Sequence, residues 1–218
     1  MTRYTDTTET RQAIIDACRW MNDRGINQGT SGNISVRVPD AILITPSGVP
    51  YDRMTPEMII RLPPEGEPDM GGDLRPSTEW RFHQRLLAAR PDMSATVHAH
   101  PAHATAVAMQ GRPIPACHYM IAAFGGNDVP ITPYAMFGSS ELAEHVAEAM
   151  RNRHGCLMTN HGATVVGESL DRALWRMEEL ENLARVDLLS RTAGEPVILS
   201  DAQIEEVIAA FSNYGPGK

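Results

Sequence analysis

The chain has 218 residues, 42% hydrophobic and 21% charged, which fits one soluble globular domain able to bury a core without disulfide staples. Nineteen basic against 27 acidic residues give a net charge of -8 with no basic stripe, which argues against a nucleic-acid binder. Eighteen of the cations are arginine and the one lysine is Lys218, which excludes lysine Schiff-base chemistry, pyridoxal phosphate included, and a phosphate-binding P-loop.

The first helix is expected from a threonine cap near Thr7 or Thr8, through Ile14, Ile15, Cys18 and Met21, to a stop at Gly25. The stretch INQGTSGN reads as a loop, 34–38 as a strand, Pro39-Asp40 as a turn and 41–45 as the second strand of a hairpin. Residues 63–75 resemble a surface loop. A helix opens at Pro76-Ser77-Thr78-Glu79 and continues through Phe82, Leu86 and Leu87 to Arg90. A short strand covers 94–100, and Pro101 suits the first turn of the next helix. Helices over 140–151, 170–191 and 201–211 and strands over 156–159 and 164–166 complete an interleaved α/β pattern, with antiparallel pieces from the hairpin. No apolar run reaches the roughly 20 residues of a membrane helix. The N-terminal MTRYTDTTET lacks the apolar region of a secretory signal, and three scattered cysteines suit a reducing cytoplasm.

Without a usable lysine, carbanion chemistry needs another electron sink, and eight histidines point to a metal. The strongest local signal is VHAHP, because side chains two apart on a strand share a face and place His98 and His100 together. HxH by itself is a weak pattern. A third ligand is sought in His161, in TNHGA, with His83, His103, His118, His145 and His154 as competitors. His145 and His154 read as solvated, and His83, one turn after Glu79, as a second metal edge or an ordinary surface contact. Glu79, placed in the first turn of its helix, reads as a ligand, as a general base or as a plain first-turn charge. Gly29 to Asn33, Thr45 to Gly48 and Ser77-Thr78 offer hydroxyls and backbone N–H groups to an anion, although each is also an ordinary turn or cap. Tyr119 and Tyr214 stand out among five tyrosines, as packing or as proton-moving phenols.

The ordered series GTSGNISVR, LITPSGVPYD, PSTEWRFH, VHAHPAHATAV, IPACHYMIAAFGG, PYAMFG, NHGA and ALWRMEELE closely resembles the class II aldolase/adducin family, in its fuculose-phosphate aldolase branch. The resemblance runs from about Arg11 to Gly215. It implies a single α/β domain over 1–218, with a central, mainly antiparallel sheet flanked by helices, in a cytoplasmic homotetramer with sites at subunit interfaces. It implies Zn2+, with Mn2+, Co2+ or Fe2+ as substitutes, held by His98, His100 and His161. Glu79 becomes a ligand of the resting metal that then serves as acid or base. The phosphate of a phosphorylated ketose falls to Gly32, Asn33, Ser47, Gly48, Ser77 and Thr78. Tyr119 acts from a neighbouring subunit on the aldehyde oxygen, and Tyr214 covers the site. Phe124 and Met136 depart from the family pattern and suggest an altered, more apolar aldehyde pocket.

The implied reaction is cleavage of a ketose 1-phosphate, L-fuculose 1-phosphate in type, into dihydroxyacetone phosphate and an aldehyde. Its rivals are the same cleavage of a 5-deoxy- or 5-methylthio-pentulose 1-phosphate, a pentulose-phosphate 4-epimerase, a dehydratase, and an adducin-like binding module without catalysis. Neither a nucleic acid nor a membrane is an expected partner.

Overall fold

Thr7 accepts a hydrogen bond from the Thr10 N–H and starts α1 (Thr8–Asp23), which buries Ile14, Ile15, Cys18 and Met21 on one face. Gly25, at φ +68°, turns the chain out of the helix. The computed structural model describes residues 4–211. After the loop come β1 (Asn33–Val38) and β2 (Ala41–Ile44), paired as the expected hairpin with Val38 opposite Ala41. A short β3 (Ile60–Leu62) lies against β2, and residues 63–75 carry neither helix nor strand. Next are α2 (Trp80–Ala89), β4 (Ala95–Ala99), α3 (Ala102–Ala108), β5 (Ile114–Pro115) and a 3-10 turn (Tyr119–Phe124). The chain ends with β6 (Asp128–Val129), β7 (Ile131–Thr132), α4 (Ser140–Ala149), β8 (Gly155–Met158), β9 (Gly162–Gly167), α5 (Leu170–Ala193) and α6 (Asp201–Phe211).

Seven strands form one sheet in the order β3-β2-β1-β4-β9-β8-β7, antiparallel at every step except β7–β8, while β5 and β6 pair separately. The class is therefore α/β with a central, mainly antiparallel sheet. Strand alternation divides the interior. Val97, Ala99, Leu157 and Val165 join the core under α1, α3 and α5, while Cys156, Met158 and Val166 join the one under α2 and α4. His98 lies between Val97 and Ala99, so it faces the α2 side, where its ring meets Phe82 edge-on at 5.6 Å. Among the described residues, no helix is long and apolar enough to cross a membrane.

Candidate metal centre

His98 is fully buried near the end of β4, and its Nδ1 donates to the Ala163 carbonyl of β9 at 2.8 Å. A carbonyl only accepts, so Nδ1 carries the hydrogen and Nε2 presents its lone pair inward. That Nε2 lies 3.1 Å from His100 Nε2 and 3.1 Å from Glu79 Oε2. His161 enters from the turn before β9, where Asn160 takes a left-handed φ of 56°. A Cβ on the next residue, Gly162, would sit 2.6 Å from the Ala99 carbonyl and 2.7 Å from the His100 ring. Only glycine lets the two strands close there and bring His161 beside His100. His161 Nε2 lies 3.2 Å from Glu79 Oε1. The three imidazoles place one nitrogen each within 4.8 Å of one another, with ring centroids 4.9–5.0 Å apart.

Burial raises the Glu79 pKa, but His98, His161 and the Asn33 amide outweigh it and hold the carboxyl well below its usual range. Burial works against charging His98, yet the Glu79 carboxylate raises its pKa. Burial, reinforced by the neighbouring imidazoles, pushes His100 and His161 down to about 4. At neutral pH His100 and His161 thus offer lone pairs, and Glu79 a carboxylate, to one point, and Glu79 Oε1 is buried with His161 Nε2 3.2 Å away and no hydrogen bond made. Nitrogens and a carboxylate this close need positive charge between them, either a bound cation or a proton on His98. Three imidazoles and a carboxylate are the donor set of a first-row divalent ion.

Glu79 is held from behind. It occupies the N-cap position of α2 at φ −97°, ψ 12°, one residue before the first turn expected from sequence, and its side chain makes no cap hydrogen bond. Asn33 Nδ2 donates to Glu79 Oε2 at 2.9 Å instead. Asn33 Oδ1 is 2.5 Å from His83 Nε2, and His83 Nδ1 is 2.7 Å from Ser35 Oγ. The expected surface role of His83 is corrected: the ring is 0% exposed, stacks on Phe82 at 4.5 Å, and is pushed down to about 3 by burial. β1 and β4 pack against α2, so both faces of His83 lie inside.

The three anion-cradle segments meet beside Glu79. Thr45 N–H donates to the Ile34 carbonyl, Ser77 N–H to the Thr45 carbonyl and Ser47 N–H to the Arg75 carbonyl, at 3.1, 3.0 and 2.8 Å. Those backbone donors are therefore engaged, which corrects the expectation of a free N–H at Ser47 and leaves the side-chain hydroxyls. Ser47 and Thr78 line a cavity of about 640 Å³ with Arg75 and Arg81. Gly48 needs its glycine for φ +70°. Gly32 needs its own because a Cβ would stand 2.7 Å from the His98 carbonyl. The Asn33 amide is turned to Glu79 and His83.

Tyr119 opens the 3-10 turn, is 50% exposed, and lines a cavity of about 750 Å³ with Trp175, Val207 and Phe211. Its ring contacts among the described residues are with His118 at 4.8 Å and Phe211 at 6.4 Å, neither a member of the histidine cluster. Tyr214 lies outside the described residues. Phe124 does not line an open aldehyde pocket: it is fully buried in the main core, against Gly155. Met136 is exposed beside exposed Phe137. His154 is half-buried rather than solvated, with Nδ1 on the Ala123 carbonyl, and burial pushes it to about 4.

Sequence reasoning missed three supports. Tyr51 O–H donates to the Gly32 carbonyl at 2.6 Å, and Asn27 Oδ1 accepts from the His100 N–H at 3.3 Å, which tie the first cradle to the metal ligands. Glu181 of α5 accepts from the His103 and Ala104 N–H groups and so caps α3 just after His100. Pro101, with no side-chain donor or acceptor, was the available signal that the cap comes from elsewhere.

The pattern of the class II aldolase and adducin N-terminal domain matches residues 12–188. The chain is 47% identical over 203 residues to the L-fuculose phosphate aldolase of Escherichia coli, covering 93% of this chain and 94% of that one. It is 44% identical over 205 residues to the 5-methylthioribulose-1-phosphate/5-deoxyribulose-1-phosphate aldolase of Rhodospirillum rubrum, covering 94% and 92%. A solved L-fuculose 1-phosphate aldolase superposes with a TM-score of 0.90 at 34% identity, over 94% of this chain and 97% of that chain.

Proposed function

The chain belongs to the class II aldolase and adducin family, and from that premise we propose that it cleaves L-fuculose 1-phosphate into dihydroxyacetone phosphate and lactaldehyde. It is an aldehyde-lyase acting on a ketose 1-phosphate. The observation that carries the reading is the convergence of His98, His100, His161 and Glu79 on one point at the buried end of the sheet. A divalent ion held there, zinc in our reading of the donor set, supplies the Lewis acidity that steadies negative charge as the carbon–carbon bond breaks.

The chain's own residues do the rest. The hydroxyls of Ser47, Ser77 and Thr78, with the turns at Gly32-Asn33 and Gly48, hold the phosphate. Tyr119, contributed by a neighbouring subunit, assists removal of the C4 hydroxyl proton to solvent, and Tyr214 closes over the substrate. The C3–C4 electron pair stays on C3, conjugated with the C2 carbonyl, while C4 becomes the aldehyde carbon. Glu79, ionised at rest, takes up a proton from water, delivers it to C3 and completes dihydroxyacetone phosphate. A cytoplasmic homotetramer suits this division, because Tyr119, Tyr134, Met136 and Phe137 are all at least half exposed in the single chain.

The test is a cleavage assay of the zinc-reconstituted protein on L-fuculose 1-phosphate and on 5-methylthioribulose 1-phosphate, detecting dihydroxyacetone phosphate. We expect product from both and the higher kcat/KM on fuculose 1-phosphate. A higher kcat/KM on the methylthio sugar overturns the substrate assignment. No product from either, with metal bound, overturns the aldolase and favours epimerisation or dehydration. A protein that neither binds metal nor turns over is a binding module.

A further inference from the structure

Behind Glu79 lies a chain of buried polar groups, Asn33, His83 and Ser35, of which His83 and Ser35 have no part in the metal or phosphate binding proposed above. Ser35 and His83 are 0% exposed and Asn33 is 4% exposed. Leaving any of their polar atoms unpaired there is costly, and each is paired in series. The carboxylate fixes the direction of the series. An ionised carboxylate only accepts, so the Asn33 group facing Glu79 Oε2 is its NH2. Asn33 Oδ1 therefore faces His83, so His83 Nε2 carries the hydrogen. The neutral ring then has its lone pair on Nδ1, and Ser35 O–H donates to it. Every proton position follows from the first.

The consequence falls on the two oxygens of Glu79. Oε2 accepts from Asn33 and lies 3.1 Å from His98 Nε2, while Oε1 makes no hydrogen bond and lies 3.2 Å from His161 Nε2. We infer that His83, locked in its Nε2–H tautomer by Ser35, is a positioning residue that holds the Asn33 amide in one orientation. It thereby fixes Glu79 by Oε2 and leaves Oε1 as the oxygen that moves the proton at the substrate carbon. Released from His83, the Asn33 amide can rotate and present its oxygen to the carboxylate, which repels it. The inference rests on the reading of Glu79 as the proton-moving group.

The experiment separates proton transfer from the rest of the reaction. Holoenzyme is incubated with dihydroxyacetone phosphate alone in deuterated water, and exchange of the C3 hydrogen is followed beside kcat and KM for cleavage. Metal content and Tm are measured for each variant. Wild type is compared with His83→Leu, His83→Gln, Ser35→Ala and Glu79→Gln. His83→Gln keeps an N–H donor toward Asn33, and His83→Leu keeps none.

We expect His83→Leu to lower both exchange and kcat by about 10- to 100-fold, with KM within about twofold and metal retained, the range for losing an outer partner of a site residue. His83→Gln should recover most of that loss, and Ser35→Ala should show a smaller loss in the same two rates. If His83→Leu does not fold, Ser35→Ala carries the test, because it removes only the tautomer lock. Unchanged exchange and kcat in a folded variant overturn the proposal, as does a loss confined to KM or Tm. Exchange retained in Glu79→Gln overturns the assignment of Glu79 itself, a different failure from that of the His83 relay.

Discussion

The two ends of the reaction are built in opposite ways. At the metal end, β1, α2, β4 and the turn before β9 each contribute side chains, and a series of buried hydrogen bonds runs from Glu79 Oε2 through Asn33 and His83 to Ser35. At the other end, Tyr119 stands half exposed on a 3-10 turn, among apolar residues of α5 and α6, with its ring contacts among the described residues going to His118 and Phe211 rather than to His98, His100 or His161. On the proposed function, one chain completes the carbanion chemistry but only offers a surface for the aldehyde chemistry. The buried end suits a step whose geometry is shared by every substrate of the class. The open rim suits the part of the substrate that varies.

The comparison can be broken most severely by removing the metal. Chelation is expected to abolish cleavage and a divalent ion to restore it, followed by metal analysis and turnover together; cleavage by metal-free protein would mean that the buried end is not the electron sink. Next comes Glu79→Gln, with an expected fall in kcat of about 10²- to 10⁴-fold, the usual worth of a general acid or base, read by steady-state kinetics. Gly162→Ala sharpens the contrast structurally. Its Cβ would meet the Ala99 carbonyl at 2.6 Å, so a stability loss of about 1–3 kcal/mol, read by chemical denaturation, should accompany weaker metal binding. Met136→Ala on the exposed rim should leave stability unchanged and alter the ratio of kcat/KM between substrates by less than about tenfold.

Much of the buried end was legible because its signals are local. Two histidines two apart on a strand declare a shared face, and a histidine before a glycine marks a tight turn into the next strand. The hairpin at Pro39-Asp40, the cap at Thr7 and the long helix from Leu170 follow from local rules as well. What stayed hidden depends on packing between distant segments. Asn33 reads as part of a glycine-rich anion turn, and nothing within ten residues announces that its amide bridges Glu79 and His83, some 46 and 50 positions away. His83 looks like a surface partner one turn from Glu79 until β1 covers that face of α2. Phe124 reads as a pocket wall, yet the tight contact with Gly155 draws it into the core. β3, β5, β6 and β7 are two or three residues long and too short to show alternation. Tyr119, half exposed on its 3-10 turn, carries no local signal of what it meets.

Stability of the metal-free protein adds a pH dependence to the comparison. His83, His100, His154 and His161 are held neutral by burial, at about 3, 4, 4 and 4 against an ordinary 6.5. Below 6.5 the unfolded chain binds protons that the folded chain refuses, so their contribution to stability is present above 6.5 and is lost as pH falls toward 4. His98, raised by Glu79, works in the opposite sense. Thermal melts of the metal-free protein should therefore show Tm decreasing from pH 7 to pH 5; a flat or rising Tm would contradict the burial of these rings.

The division between the two ends is tested most directly by Tyr119→Phe, followed by hydrogen exchange at C3 of dihydroxyacetone phosphate and by cleavage in the same holoenzyme preparation. The account predicts exchange close to the wild-type rate with cleavage reduced by about 10²-fold or more, because the buried end works without the phenol. Exchange that falls in step with cleavage would contradict it and place Tyr119 in the same proton-transfer step as Glu79.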